Sequence, residues 1–458
     1  MRVFRNCLLL WIRFLPLLDL ENFFQYLFLF LQNVYFFQRI FRGPFAQARG
    51  LTSIQKLLKL LEVLFDMVKK LVTNFALEPD AETLEQFRDC YSQPYVVKAS
   101  LMPDAHKGYV APIGSVLVTK GYLVPAWVGY DIGCGMTVAR LPKNTLESLR
   151  KNARKIHGEV VKEVPMGLGM IHKSETGISE NTRKKYAKIL SRFREGSYNK
   201  QVLQFFESGK AMRNLGTLGH GNHFVSLNFD DAGYPWIVVH SGSRAVGHWV
   251  AKFYMKQSSG SDDEFEATHP LFEGSELGKE YQNLLDFGLE FAKLNRLEMI
   301  TQIVSVFESV LGRNIKSVVW ANKNHNHVIK ERGFFIHRKG ATPAKRGERG
   351  IVPANMRDGS FLVEGKGNRE FLSSSSHGAG RAMSRRQAKE SINPKEFERE
   401  MIDSGVIGNF SESALDEAPE AYKDIKKVLD MQKKSVRVVN HLRPFINWQG
   451  ESRHRASN

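Results

Sequence analysis

The 458-residue chain has only three cysteines, Cys7, Cys90 and Cys134, and no Cys-x-x-Cys pair. So few thiols cannot build a disulfide scaffold, which points to a reducing compartment, and the spacing of a structural zinc module is missing. Thirty-seven glycines recur without a period, so collagen-like assembly is excluded. There is no internal repeat and no long low-complexity run. Charged residues make up 25% and hydrophobic residues 42%, proportions that exclude wholesale disorder. Acids are the scarcer charge: 48 Asp and Glu face 65 Lys and Arg, for a formal net charge of +17. The favoured large partner is therefore a polyanion, with a plain basic cytosolic enzyme as the bland alternative.

Residues 1–51 lack lysine and serine and carry only Asp19 and Glu21 as acids, yet they hold six arginines and ten of the 31 phenylalanines. The uncharged run Asn22 to Gln38 spans 17 residues, short of the roughly 20 a membrane helix needs. Three readings stay open: an organelle-targeting leader, a signal anchor, or residues upstream of a mis-assigned start. The compartment follows as cytoplasm or an organelle matrix, and any membrane contact is confined to residues 1–51. From Thr52 to Asn74, apolar residues at three- and four-residue steps (Ile54, Leu57, Leu58, Leu61, Leu64, Phe65, Val68, Leu71) predict an amphipathic helix or linker.

Length alone allows two to three domains or one large catalytic unit. From about Phe75 the pattern is that of a mixed α/β or α+β domain running to residue 450. A short helix (Ala81 to Cys90) precedes an extended, glycine-punctuated region reaching Leu141. A Lys/Arg-rich helical stretch covers Leu146 to Phe206, broken near Pro165 to Gly177. A strand at Ile237 to His240 leads to a helix after Gly247, a further helix spans Lys279 to Leu311, and Lys316 to Trp320 reads as a strand. Residues 392–420, with Pro394, Pro419 and several acids, read as a surface excursion. Residues 451–458 form a polar tail.

Residues able to bind metal are concentrated in short glycine-flanked motifs: Asp131 and Cys134 in DIGCG, His223 in GHGNHF, His240 in VVHSGSR, His325 in NHNHV and His377 in SSSSHGAGR. Singly, each histidine is more often a hydrogen-bonded structural group, and a lone cysteine such as Cys7 or Cys90 a small hydrophobe. Together, one carboxylate, one thiolate and several imidazoles on tight turns supply mixed O, S and N ligands. Such a set suits zinc or manganese at one or two sites, with affinity alone favouring zinc. His327, two residues from His325, is expected to point the opposite way on a strand, so that only one of the pair faces the metals. His106 either touches a substrate or braces its loop, and Met166 and Met170 read as packing groups. His377 stands beside Gly378, Ala379, Gly380 and Arg381, where backbone amides and a guanidinium could cradle phosphate. The six Lys and Arg between Arg332 and Arg349 are either a solvated face or an RNA or phosphate contact.

Taken in order, LMPDAHKGY (Leu101 to Tyr109), VGYDIGCGM (Val128 to Met136), LGTLGHGNHF (Leu215 to Phe224), HSGSRAVG (His240 to Gly247), HNHV with RKGATPA (Arg338 to Ala344), and SFLVEGKGN with SHGAGRAMSRRQA resemble the RtcB-type RNA-splicing ligases. The likeness spans about Phe75 to Gly450. It implies a single large catalytic domain with a metal- and nucleotide-binding cleft. It also implies an enzyme that joins an RNA 3′-phosphate or 2′,3′-cyclic phosphate end to a 5′-hydroxyl end, using GTP and two manganese ions, in tRNA splicing or RNA repair. By motif match Cys134 would bridge the metals, Asp131 and His223 would complete one site, and His240 and His325 the other. His377 would form a covalent guanylate–histidine intermediate. Asn222, Ser360, Gly378, Ala379, Gly380 and Arg381 would hold the guanylate. The resemblance leaves room for an activating protein partner.

Three positions depart from the family's pattern, all on the guanosine side. Ser226 stands where an acid is usual, Ala354–Asn355–Met356–Arg357 replaces a GSMG loop, and Gln449–Gly450 replaces lysine–glycine. Gln449 could still hydrogen-bond a base edge without lysine's charge. The competing readings are a ligase using another nucleotide, an RNA-binding protein with a decayed site, and a metal-dependent phosphodiesterase that never modifies His377.

Overall fold

A computed structural model describes residues 71–263 and 265–450. The expectations for residues 1–51, 52–70 and the polar tail lie outside the described residues. Two sheets dominate. The smaller runs, edge to edge, through Leu71–Asn74, Val96–His106, Ile113–Lys120, Phe334–Lys339 and Asn326–Glu331. The larger is antiparallel throughout, in the order Arg349–Pro353, Ser360–Gly365, Val436–Gln449, Phe224–Phe229, Pro235–Ser241, Gly135–Arg140 and Val318–Asn324. Antiparallel pairing with helices laid against the sheets makes this an α+β fold, as expected from the sequence.

The helix Glu276–Leu311 organises one side of the larger sheet. Its 36 residues start at Ser275, whose Oγ accepts the Gly278 N–H at 3.0 Å, and stop at Gly312, left-handed at φ +64°. It packs against the helices Glu180–Glu195 and Ala153–Glu163 and against strands Pro235–Ser241 and Gly135–Arg140. One core gathers Phe193, Phe206, Tyr254, Tyr281, Phe287 and Phe291 around it. A second joins Ile300, Ile303 and Phe307 to Ile156, Val239 and Trp448.

Local patterning placed most elements within a few residues, with three exceptions. Leu71–Asn74, expected as the end of an amphipathic helix, is a strand. Its β-branched Val72 and Thr73 suit a pleat, and Thr73 Oγ1 donates to the Glu370 carbonyl at 2.7 Å. The helix expected after Gly247 begins at Arg244. Residues 392–420 are no mere surface excursion. Ile392, Phe397, Met401, Leu415 and Ala418 form a small core of their own. The acids that suggested solvent, Asp416 and Glu417, are 7% and 5% exposed because they bind guanidinium groups, as described below. Among the described residues no helix is long and apolar enough to cross a membrane.

Candidate metal and nucleotide site

Four adjacent strands of the larger sheet bring one end of each to a common edge. Because neighbours are antiparallel, the starts of Phe224–Phe229 and Gly135–Arg140 lie beside the ends of Pro235–Ser241 and Val318–Asn324. In register, Phe224 faces His240, and Gly135 faces both Ser241 and Asn324. His223, Cys134, His240 and His325 occupy those ends, so residues up to 191 positions apart in sequence converge there.

The side chains form a row. Asp131 Oδ2 lies 2.9 Å from His223 Nε2, which is 3.5 Å from Cys134 Sγ. Cys134 Sγ is 3.3 Å from His240 Nε2, and that atom is 3.2 Å from His325 Nε2. The His325 ring then lies edge-on to His377, centroids 4.8 Å apart. His377 Nδ1 is 2.6 Å from Asp104 Oδ2. Cys134 thus has Asp131 and His223 on one side and His240 and His325 on the other.

This row has the chemistry of a cation site. His240 Nδ1 faces the Asn222 carbonyl at 2.9 Å, which puts its ring proton there and turns the Nε2 lone pair inward, and His223 Nδ1 lies 3.1 Å from the Leu218 carbonyl, a partner for its ring proton when Nε2 binds a cation. Burial first, then neighbouring imidazoles, hold His240 and His325 well below the usual histidine range, so both stay neutral. The Nε2 atoms of His240 and His325 lie 3.2 Å apart, with the Asp131 carboxylate at the end of the row, a spacing at which one cation could take both imidazoles as ligands. Burial, then the Asp131 carboxylate, push the Cys134 thiol well up, so a thiolate also needs a compensating cation. The donors Cys134 Sγ, His223 and His240 all lie within 4.8 Å of one another.

Backbone and buried polar groups fix the row. Arg296, 0% exposed in the middle of the long helix, donates to the carbonyls of Gly133 (3.0 Å) and Ser241 (2.9 Å), and to Thr137 Oγ1, Asn322 Oδ1 and Asn324 Oδ1. Two of those carbonyls adjoin Cys134 and His240. Asn295 reaches the Gly242 carbonyl, and Asn326 Nδ2 the Asp131 carbonyl at 2.7 Å. A Cβ at Gly242 would collide with the Asp131 carboxylate, so only glycine leaves that carboxylate its place. Arg244, at φ +60°, brings Nη1 to 3.4 Å from His223 Nδ1.

His377 opens onto a cavity of about 820 Å³ whose walls also include His240, Lys339, Asn222, Ser226, Ser360, Gly378, Ala379, Gly380, Arg381, Asn355 and Gln449. Every residue expected at the nucleotide is thus on this wall, but the phosphate cradle differs from the expected one. The N–H groups of His377 (3.1 Å) and Gly378 (3.2 Å) both donate to Asp104 Oδ2 and face away from any phosphate. Arg381 Nη2 donates to the Asp416 carbonyl at 2.7 Å and Nε to the Met383 carbonyl at 3.1 Å, while Nη1 lies 3.7 Å from Glu417 and has no hydrogen-bond partner among the described residues. Arg385 is held by Asp416 and Glu417.

Asp104 is the residue that sequence reasoning missed. It is 0% exposed, and although burial alone would raise its pKa, the His377 ring and its hydrogen bond hold the carboxyl below the usual range. The signal was present in MPDAHKG, beside His106, which received the attention instead. His106 lines the cavity and bonds the Asp104 carbonyl through Nδ1 at 2.9 Å, with burial lowering its pKa to about 4. Lys339 was also passed over: its Nζ donates to the Val128 carbonyl at 2.6 Å, and burial brings it down to about 8. Within the basic run, Arg338 is 1% exposed and donates to Ser374 Oγ, so the run is in part interior structure.

His325 and His327 do diverge, but the expected strand alternation is not the cause, since residues two apart on a strand share a face. His325 sits in the break between strands Val318–Asn324 and Asn326–Glu331, while His327 lies inside the latter with Nε2 3.4 Å from Arg338 Nη1. Cys90 is buried and unpaired by disulfide. Met166 packs at the edge of the second core.

Comparison with known proteins gives a consistent result. The family model for tRNA-splicing ligase RtcB matches residues 86–450. The RNA-splicing ligase RtcB of Escherichia coli K12 is 33% identical over 394 residues, covering 81% of this chain and 95% of its own length. The tRNA-splicing ligase RtcB of Nanoarchaeum equitans is 28% identical over 76% of this chain and 87% of its own. The RNA-splicing ligase RtcB homolog 1 of Entamoeba dispar is 25% identical over 84% of each.

Proposed function

The chain belongs to the RtcB family of RNA-splicing ligases, and on that premise we propose that it seals RNA breaks in splicing or repair. The ends joined are a 3′-phosphate or 2′,3′-cyclic phosphate and a 5′-hydroxyl, with GTP as activating nucleotide and two manganese ions as cofactors. The observation that carries this reading is the unbroken row from Asp131 to Asp104, with His377 at its junction with the cavity. Asp131 and His223 would hold one ion, His240 and His325 the other, and Cys134 both. When bound, the ions would supply Lewis-acid charge at phosphoryl oxygens.

The chain's own residues account for the rest. Asp104 keeps the His377 proton on Nδ1, which leaves the Nε2 lone pair as nucleophile. Nε2 attacks the α-phosphorus of GTP. The N–P bond forms as the α–β phosphoanhydride breaks, and pyrophosphate leaves with the electron pair, giving a guanylate–histidine. An oxygen of the RNA 3′-phosphate then displaces Nε2 from phosphorus, restoring His377 and capping the RNA end with guanylate. The 5′-hydroxyl attacks that end, gives up its proton, and GMP departs. A cyclic phosphate is first opened by one water. Arg381 Nη1, ion-paired with Glu417 at 3.7 Å but with no hydrogen-bond partner among the described residues, offers an N–H to a phosphate, and Asn222, Ser360 and Gln449 offer polar contacts to the guanosine.

One observation favours a second reading, a nucleotide other than GTP. The three positions that depart from the family all spend hydrogen bonds internally. Ser226 Oγ accepts from Asn228, Asn355 Oδ1 caps the N–H groups of Arg357 and Asp358, and Gln449 Nε2 donates to the Gly221 carbonyl. Intact-protein mass measurement after incubation with manganese and each nucleoside triphosphate separates the two. A guanylate adduct from GTP alone, absent in His377→Ala, is expected. An adduct from another nucleotide keeps the mechanism and replaces the cofactor, and no adduct from any of them overturns the ligase reading.

A further inference from the structure

A second cavity, about 970 Å³, adjoins the first and shares Asn355, Tyr422 and Pro444 with its wall. Nothing in the reaction described above uses it. Five Lys or Arg (Arg150, Arg357, Lys423, Lys426, Arg443) and two acids (Asp358, Asp424) line it, an excess of three positive charges. Three of the cations are committed: Arg357 to Asp358 and Glu400, Arg443 to Asp231, and Lys423 to the carbonyls of Leu77 and Ala105. Arg150 and Lys426 are exposed and have no ion-pair partner among the described residues. Aromatic rings alternate with this charge. The Arg150 guanidinium lies over the Phe229 ring, 4.1 Å from its centroid, and Phe361 stacks on His441 at 4.3 Å with the planes within 2°. A third hollow continues past Gly405 and Ile407, but its Arg154 and Lys395 are balanced by Glu398 and Glu412, so the excess charge ends there.

Free cations beside stacked rings are what a single strand requires: phosphates take the charge and bases extend the stacks, with no need to read sequence. An acidic peptide would use the charge and leave the rings idle. We propose that this second cavity holds the single-stranded RNA flanking the end that reacts at His377, with Arg150 and Lys426 on its phosphates and His441 and Phe361 extending its base stack. The strand leaves the reaction cavity over Asn355 and Pro444. This assignment rests on the ligase reading for the identity of the RNA end.

The test compares a fluorescent 12-nucleotide RNA 3′-phosphate with a dinucleotide 3′-phosphate, too short to leave the reaction cavity, binding to the full chain. The pair Arg150→Glu, Lys426→Glu is expected to weaken the 12-mer at least tenfold at 0.1 M salt. It should also lower the slope of log affinity against log salt by about 1.4, two phosphate contacts at about 0.7 each. The neutral pair Arg150→Gln, Lys426→Gln gives the same change in slope should charge reversal disturb folding. His441→Ala is expected to weaken the 12-mer about fivefold with the slope unchanged, as loss of stacking does. The dinucleotide and the rate of nucleotide transfer to His377 should not respond. Unchanged slopes overturn the proposal, as does equal weakening of the dinucleotide. Tight binding of a polyglutamate peptide that displaces the 12-mer, and is lost in the charge-reversed pair, reassigns the cavity to acidic protein segments. Absence of any His377 adduct in the unaltered chain, with the slope change intact, removes the ligase reading and leaves the RNA site standing.

Discussion

Asp104 shows what one buried carboxylate contributes to a neighbouring histidine. Its Oδ2 accepts from His377 Nδ1 and from two backbone N–H groups, so a single oxygen fixes the ring's tautomer, its tilt and the turn that carries it. Asp104→Asn keeps the shape but presents an amide that can turn its own N–H toward Nδ1, which then moves the ring proton to Nε2. Adduct formation on His377 should fall on the order of 10²-fold or more, with circular dichroism unchanged. A rate within threefold of the unaltered chain would show that His377 needs no such orientation. The carboxylate's folded pKa is depressed, so its contribution to stability is present above about pH 4 and is lost as pH falls and Asp104 protonates. The same scale explains why Asp104 escaped notice in the sequence. MPDAHKG offers a histidine and an aspartate together, and only the fold reveals which of them meets residue 377.

Among the elements, the long helix Glu276–Leu311 is the one that holds the row of candidate ligands in place. Its buried Arg296 has no carboxylate partner among the described residues and binds five oxygens, two of them carbonyls next to Cys134 and His240. Arg296→Met fills similar volume but leaves those carbonyls unsatisfied in the interior. The expected loss is at least ~3 kcal/mol in urea unfolding, from several orphaned acceptors at about 1–3 kcal/mol each. A loss under ~1 kcal/mol would mean that water replaces the guanidinium. The helix was legible from its apolar periodicity, and the Asn295–Arg296 pair was visible within it. What a polar pair inside an apolar helix binds depends on the elements it faces, which periodicity does not report. The strand at Leu71–Asn74 and the small core of residues 392–420 were misread for a related reason: sheet pairing overrode helical spacing in one, and guanidinium partners hid the acids of the other.

Over the whole molecule, several histidines are folded in as neutral groups, and pH therefore acts on stability as well as on chemistry. His337 is 2% exposed, its Nε2 accepts the Val124 N–H at 3.1 Å, and burial lowers its pKa to about 3. Between that value and the ordinary ~6.5 the unfolded chain binds a proton that the folded chain does not. Stability is thus full above about pH 6.5 and declines as pH falls toward 3. His337→Gln keeps an acceptor without the titration. Its urea-unfolding free energy should depend on pH less steeply, by about 1.4 kcal/mol per pH unit across pH 4–6. Identical slopes would show that His337 titrates normally.

The family, the order of its motifs and the α+β class were legible because each depends on local pattern: glycine-flanked blocks, periodicity and turn residues. Those same patterns named Asp131, Cys134, His223, His240, His325 and His377 as candidates. Which atoms meet was decided only when antiparallel register brought four strand ends to one edge. That step set Cys134 between two pairs of donors. Packing of the strand Val96–His106 against Ser374–Ser376 separately brought Asp104 to the amides of His377 and Gly378, and a break between strands parted His325 from His327. Local sequence specifies the conformation of a segment, whereas contacts between segments far apart in the chain depend on how the whole chain buries its surface, and only the folded chain contains them.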